Sequence, residues 1–126
     1  MTKQHNSLIV IAHGSRRDSA NQEFFSLVDN LSDSIDRYQS VRPALLEQAQ
    51  PTLMQACTDA VKLGATHIDV YPLFFNKGIH VEKDIPLQVA ELMEQFDSID
   101  IRLLDYLGSS SLMAELIKQH VATFND

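Results

Sequence analysis

The sequence predicts an α/β fold, with a four-stranded parallel sheet and helices on both of its faces. Three observations carry that prediction. Four short apolar runs alternate with four longer segments of helical periodicity, and that βαβαβαβα order calls for crossover connections and a parallel sheet. The first run, Leu8–Ala12, is apolar without interruption, as in a strand buried on both faces. Pro51, Gly64, Pro86 and Gly108 punctuate the segments where helices start and stop.

Taken in order, Leu8–Ala12 reads as the first strand. Asp18 or Ser19 can cap a helix running to about Arg37, with Phe24, Leu27, Val28, Leu31 and Ile35 on one stripe. Val41–Leu46 is the second strand and ends at Glu47. Pro51 suits the first turn of the next helix, which carries Leu53, Met54, Cys57 and Val61 inward and stops at Gly64. His67 to about Phe75 is the third strand. Pro72 cannot donate to a central ladder, so a bulge or an early loss of pairing is expected there. After the loop Asn76-Lys77-Gly78, a helix begins near Val81 or only after Asp84, with Pro86 in its first turn, and ends near Phe96. Ile99–Leu104 is the fourth strand, and Gly108 with the serines after it leads into a last helix from Leu112 to about Phe124.

The chain has 126 residues, the size of one domain spanning 1–126. Its 44% hydrophobic and 21% charged residues are those of a soluble globular protein. No apolar stretch approaches a membrane span. Met1–Asn6 is polar and has no signal-peptide centre. The single cysteine, Cys57, excludes an internal disulfide and suits a reducing compartment, so a cytoplasmic location is expected. A net charge of −7 disfavours nucleic acid as a partner. Acidic residues dominate 29–36 and 91–105, whereas Arg16, Arg17, Lys77 and Lys83 lie near His13 or His80 in sequence. These four are either partners for an anionic small ligand or solvated loop charges.

Open parallel sheets bind ligands beyond the carboxyl ends of their strands. His13 leaves the first strand there, Glu47 ends the second, and His80 follows the third after a short glycine-containing loop. Two imidazoles and a carboxylate on one rim can hold a divalent metal while leaving positions open for exchange. The alternative is that both histidines are hydrogen-bonded loop residues. His67 opens a strand on the opposite edge and reads as structural; His5 and His120 read as surface residues, and Cys57 as core. Gly14-Ser15 at a helix entrance can hold an anion through backbone N–H groups, but the glycine-rich phosphate and dinucleotide motifs are absent.

"IAHGSRRDSAN", "LLEQAQPTLMQACTDAVKLGATHIDV" and "YPLFFNKGIHVEKDIP" together resemble the CbiX-like sirohydrochlorin chelatase family in its small, single-domain form. The resemblance spans nearly the whole chain. Its anchors are H-G-S-R at 13–16 and G-x-H-x-x-x-D-I-P at 78–86. It implies a chelatase-like (flavodoxin-like) three-layer fold and insertion of a divalent metal, cobalt or iron with nickel also represented in the family, into sirohydrochlorin for cobalamin or siroheme biosynthesis. The metal is a substrate, and no organic cofactor is implied. The resemblance makes His13 and His80 the metal ligands and matches Glu47 to the family's glutamate. A neutral histidine can hold the ion or accept a proton from the macrocycle, and Glu47 can pass one to water. Ser15, Arg16, Arg17, Lys77 and Lys83 are candidates to hold the macrocycle's carboxylate arms. The histidine-rich tract of some small relatives is missing.

A chain of this length has a radius of gyration of roughly 14 Å, about the scale of a tetrapyrrole, so one domain offers a rim rather than a cleft. A two-fold homodimer is therefore expected, with Phe74, Phe75, Tyr106 and Leu107 as candidates for the cleft or interface. Burial in the monomer's own core is an equal expectation for the two phenylalanines. A non-catalytic metal or tetrapyrrole carrier and a flavodoxin-like anion or nucleotide binder are the alternative functions.

Overall fold

The computed structural model describes residues 4–124; Met1–Lys3 and the last two residues of the expected 1–126 domain lie outside the described residues. Strands β1 (Asn6–Ala12), β2 (Ser40–Leu45), β3 (His67–Pro72) and β4 (Asp100–Leu103) form one parallel sheet in the order β2-β1-β3-β4. The helices are α1 (Asp18–Ser34), α2 (Leu53–Lys62), α3 (Ile85–Gln95), entered through a π-helical turn at His80–Asp84, and α4 (Met113–Ala122). The chain moves from β1 to one side for β2, then back across to β3 and on to β4. Right-handed crossovers therefore place α1 on one face and α2 and α3 on the other.

The two faces carry separate cores. Ile9, Ile11, Ile68, Val70 and Ile101 meet Leu53, Cys57, Ile85 and Leu92 under α2 and α3. Leu8 and Val10 meet Val28 under α1. Every second residue of β1 serves each face, which explains its uninterrupted apolar run.

The sequence expectations hold for element order and differ at several ends. Helix α1 stops at Ser34, short of Arg37, where the Ser34 hydroxyl bonds back to the carbonyls of Asn30 and Leu31 and Ile35 turns inward to pack. Its N-cap is Arg17, with no side-chain cap, and Asp18 stands in the first turn, where a negative charge complements the helix dipole. Helix α2 starts after Pro51 because Thr52 and Gln55 form a reciprocal capping box, at 3.1 and 2.8 Å. The Pro51 carbonyl accepts the Leu45 N–H instead.

Strand β3 ends at Pro72 rather than near Phe75, and the cause is one-sided. Pairing with β1 continues through Leu73 N–H to the Ile11 carbonyl, at 2.8 Å. On the β4 side the last register pair is Val70 with Leu103, and the next donor would be the missing N–H of Pro72. Pro43 in β2 costs nothing comparable. That strand is an edge, and with Leu46 donating to Ala12, alternation points the Pro43 nitrogen away from β1. The last helix, predicted from Leu112 to Phe124, runs Met113–Ala122 and buries no residue.

Candidate metal site at the carboxyl edge of the sheet

The strand order reverses between β1 and β3, and the segments leaving these two strands flank the switch point where open α/β sheets bind ligands. His13 leaves β1. The next residue, Gly14, has φ +93°, and a Cβ there would stand 2.0 Å from the Glu47 carbonyl oxygen. Only glycine lets the two loops touch this closely. The contact is fastened by Glu47 N–H donating to the His13 carbonyl at 3.1 Å. Buried Asn21 then holds the segment from α1, accepting from Ser15 N–H at 3.0 Å and donating to the Ser15 carbonyl at 2.8 Å.

His80 opens the π-helical turn, so it is the first residue of a helical segment rather than part of a loop. Its Nδ1 lies 2.6 Å from Asp84 Oδ2, one turn on. The His13 Nδ1 lies 2.9 Å from the Gly14 carbonyl. A carbonyl and a carboxylate only accept, so each Nδ1 carries a proton, and in the neutral ring each Nε2 presents a lone pair. Both lone pairs face Glu47: its Oε1 is 2.9 Å from His13 Nε2 and 4.0 Å from His80 Nε2. The two rings meet edge to face with centroids 4.7 Å apart. One ligand atom from each of His13, Glu47 and His80 falls within 4.8 Å of the others. Between His13 Nε2 and Glu47 there is room for a single proton, and a cation can replace it while also engaging His80.

The remaining candidates are arranged differently. The Ser15 hydroxyl accepts from Arg17 N–H at 3.0 Å, a local turn that uses the side chain internally. Arg16 donates from Nε to Gln48 at 3.0 Å, on the loop just past Glu47. Arg17, Lys77 and Lys83 are exposed and form no ion pair among the described residues. Phe74 packs half-buried against the core, whereas Phe75 is exposed; Tyr106 and Leu107 are half-buried. A depression of about 260 Å³ beside the site is lined by Leu46, Glu47, Asp84, Leu87 and Gln88.

His67 sits at the opposite edge, bonded to Thr66, with Asp100 3.8 Å away. His5, expected at the surface, is half-buried there because its backbone pairs with Thr66 and His67. His120 is exposed. Cys57 is buried, and burial pushes its thiol up to about 11, so it is an inert core residue. The same far edge holds a polar cluster in which Asp69 receives a two-pronged contact from Arg102, at 3.0 and 3.1 Å, and the Tyr38 hydroxyl at 2.6 Å. Burial pushes the Asp69 carboxyl up, but the hydrogen bonds from Arg102 and Tyr38 outweigh it and hold the group below its ordinary value. Sequence reasoning missed the roles of Asp84 and Asn21. Asp84 stands four residues after His80, a helical spacing that signals a partner once the helix is extended back to His80.

Fold and site together define a chelatase-like α/β domain. Over residues 7–124 the chain matches the CbiX family model, and it belongs to that family. It is 31% identical over 125 residues to the sirohydrochlorin cobaltochelatase of Methanosarcina acetivorans, covering 90% of this chain and 92% of that one. It is 28% identical over 116 residues to the chloroplastic sirohydrochlorin ferrochelatase of Arabidopsis thaliana, covering 92% of this chain and 51% of the relative. The chain thus spans about half the length of that relative and most of the length of the archaeal one. Among solved structures, a cobalt complex of the sirohydrochlorin chelatase SirB from Bacillus subtilis subspecies spizizenii superposes with a TM-score of 0.85 at 25% identity. The match covers 96% of this chain and 51% of SirB. A CbiX protein from Marinobacter aquaeolei VT8 superposes with a TM-score of 0.82 at 27% identity, over 94% of this chain and 95% of that one.

Proposed function

We propose that this protein is a sirohydrochlorin chelatase, inserting a divalent metal, cobalt or iron, into the free macrocycle for cobalamin or siroheme biosynthesis in the cytoplasm. The observation that carries the reading is the convergence of His13 Nε2, His80 Nε2 and a Glu47 oxygen within 4.8 Å at the switch edge. Family membership and the activities named for its relatives support it. Consistent with the location, no helix among the described residues is long and apolar enough to cross a membrane.

The metal enters as substrate. His13 and His80 hold it through Nε2, each ring kept in that tautomer by the acceptor on its Nδ1. The three groups leave coordination positions open for the macrocycle nitrogens. Insertion releases two N–H protons from the ring. Glu47 is placed to take the two protons in turn, passing each on to water, since its carboxylate faces both histidines and is about half exposed. Arg16, Arg17, Lys77 and Lys83 bind carboxylate arms of the macrocycle, whereas Ser15, expected to join them, has its N–H taken by Asn21.

The depression of about 260 Å³ falls below the roughly 300–1,000 Å³ of enclosed ligand sites. A second copy of the chain supplies the opposite wall, making the working unit a homodimer. The test is the absorbance change when protein is mixed with sirohydrochlorin and Co²⁺ or Fe²⁺, against a protein-free control. Many turnovers per subunit are expected. A change that stops at one equivalent refutes the enzyme in favour of a carrier, and no binding leaves neither.

A further inference from the structure

Gln48 holds a backbone conformation that its side chain makes costly. Its φ is +76°, the one left-handed value at a residue other than glycine among the described residues. Glycine, asparagine or aspartate ordinarily fills such a position, because a larger side chain crowds the neighbouring carbonyl. Strain of this kind persists only where the surrounding structure holds it, and it gathers at binding sites. Gln48 follows Glu47 directly, on the rim that carries the three metal-facing residues.

The fold itself does not call for a glutamine there. The β1 and β2 exits are already fastened by the Glu47 N–H, which donates to the His13 carbonyl at 3.1 Å, and by the close approach at Gly14. The Gln48 side chain does something else: its Oε1 accepts the Nε–H of Arg16 at 3.0 Å. Both side chains are exposed, and the bond joins one exit loop to the other across 32 residues of sequence.

That bond uses one of the five N–H donors of a guanidinium. The four on Nη1 and Nη2 have no partner among the described residues, and they form the fork that grips a carboxylate with two parallel bonds. Arg102, at the far edge, shows the contrasting arrangement. It gives Nε and Nη2 to Asp69, a carboxylate that occupies the fork and cancels its charge. A neutral amide orients Arg16 and leaves both its charge and its fork available. An arginine already held in place also loses less rotamer freedom when a ligand arrives.

We propose that Gln48 is a positioning residue for the macrocycle: its amide aims the Arg16 guanidinium at one carboxylate arm, and the left-handed backbone at 48 turns that amide toward Arg16. The inference rests on the chelatase reading and assigns one arm contact on the same rim.

The test combines absorbance titration with metal-free sirohydrochlorin, which gives Kd, and steady-state insertion at saturating Co²⁺, which gives KM and kcat. Gln48→Gly relieves the left-handed backbone, so it should melt at the wild-type temperature or above. Its Kd and KM for sirohydrochlorin should nevertheless rise about 3–10-fold, with kcat and Co²⁺ affinity little changed. Gln48→Glu keeps an acceptor for the Arg16 Nε–H but cancels the charge, and should raise both constants as well; a mere surface tie would tolerate it. Arg16→Ala should raise them at least as far, and adding Gln48→Gly to it should raise them no further. Wild-type Kd and KM in Gln48→Gly overturn the proposal, as does a loss that persists in full on top of Arg16→Ala. A matching loss of Co²⁺ affinity in Gln48→Gly overturns it too, because the effect then runs through Glu47. Wild-type constants in Arg16→Ala remove Arg16 and Gln48 together and leave the chelatase standing. A wild type that binds sirohydrochlorin without turnover overturns the chelatase, and the Kd values still decide the role of Gln48; one that does not bind it overturns both.

Discussion

Replacing Gly14 with alanine tests how the β1 and β2 exits are held together. The backbone there has φ +93°, and the added methyl would meet the Glu47 carbonyl oxygen at 2.0 Å. Ordinary contact begins near 3.4 Å, so the two loops must part by about 1.4 Å. A left-handed backbone at a non-glycine residue costs roughly 1–2 kcal/mol before the clash is relieved. The separation also pulls Glu47 from His13, now 2.9 Å apart. A displacement of that size at reacting groups lowers rate about 10²-fold. Gly78→Ala is the control, because a Cβ there meets nothing within 4 Å. Thermal melts should show Gly14→Ala lower by roughly 5 °C or more and Gly78→Ala near wild type. Co²⁺ titration and metal insertion, measured in parallel, should weaken only in Gly14→Ala. Wild-type binding and rate in Gly14→Ala would refute the claim that this contact sets the site.

Further outcomes follow from other parts of the molecule. His13→Ala and His80→Ala should each lose most metal insertion while keeping the fold, since neither side chain belongs to the core, with His120→Ala as a silent control; insertion at the wild-type rate in either would remove that residue from the site. Asp84→Ala should lower Co²⁺ affinity about 10–100-fold, while Asp84→Asn, which keeps an oxygen acceptor for the His80 Nδ1 proton, should recover much of it. Equal affinity in all three proteins would show that Asp84 does not position the ring. Asp69 is held below its ordinary 3.8 in the folded chain. Its charged form therefore stabilises the fold fully above about pH 3.8, and that contribution is lost as pH falls through the lower folded value. Asp69→Asn should melt lower than wild type at pH 7, with the gap closing in acid; a gap that is constant with pH would contradict the Arg102 assignment.

The alternation of strands and helices was legible because each buried face imposes its own period, as in Leu8–Ala12 and along α1. Chain order alone put His13, Glu47 and His80 on one edge, since every strand of a parallel sheet exits the same way. Their mutual distances were not legible, because they depend on the Gly14–Glu47 backbone contact between segments more than thirty residues apart. Asp84 was hidden by placing the helix start after His80; the π-helical turn brings the two into one element. The limits of α1 and α2 were set by Ser34 and Thr52, local hydrogen bonds that compete with apolar periodicity. The exposure of α4 had no sequence signal at all, since an amphipathic stripe reads the same whichever surface it meets.

The most direct test of the account is where cobalt binds. In crystals of the protein soaked with Co²⁺, the anomalous signal should fall between His13 Nε2 and His80 Nε2, with a Glu47 oxygen completing the protein ligands and metal–nitrogen distances of about 2.1 Å, as for zinc–imidazole bonds. A cobalt ion bound instead at the far edge, beside His67 and Asp100, with none at His13 and His80, would contradict it.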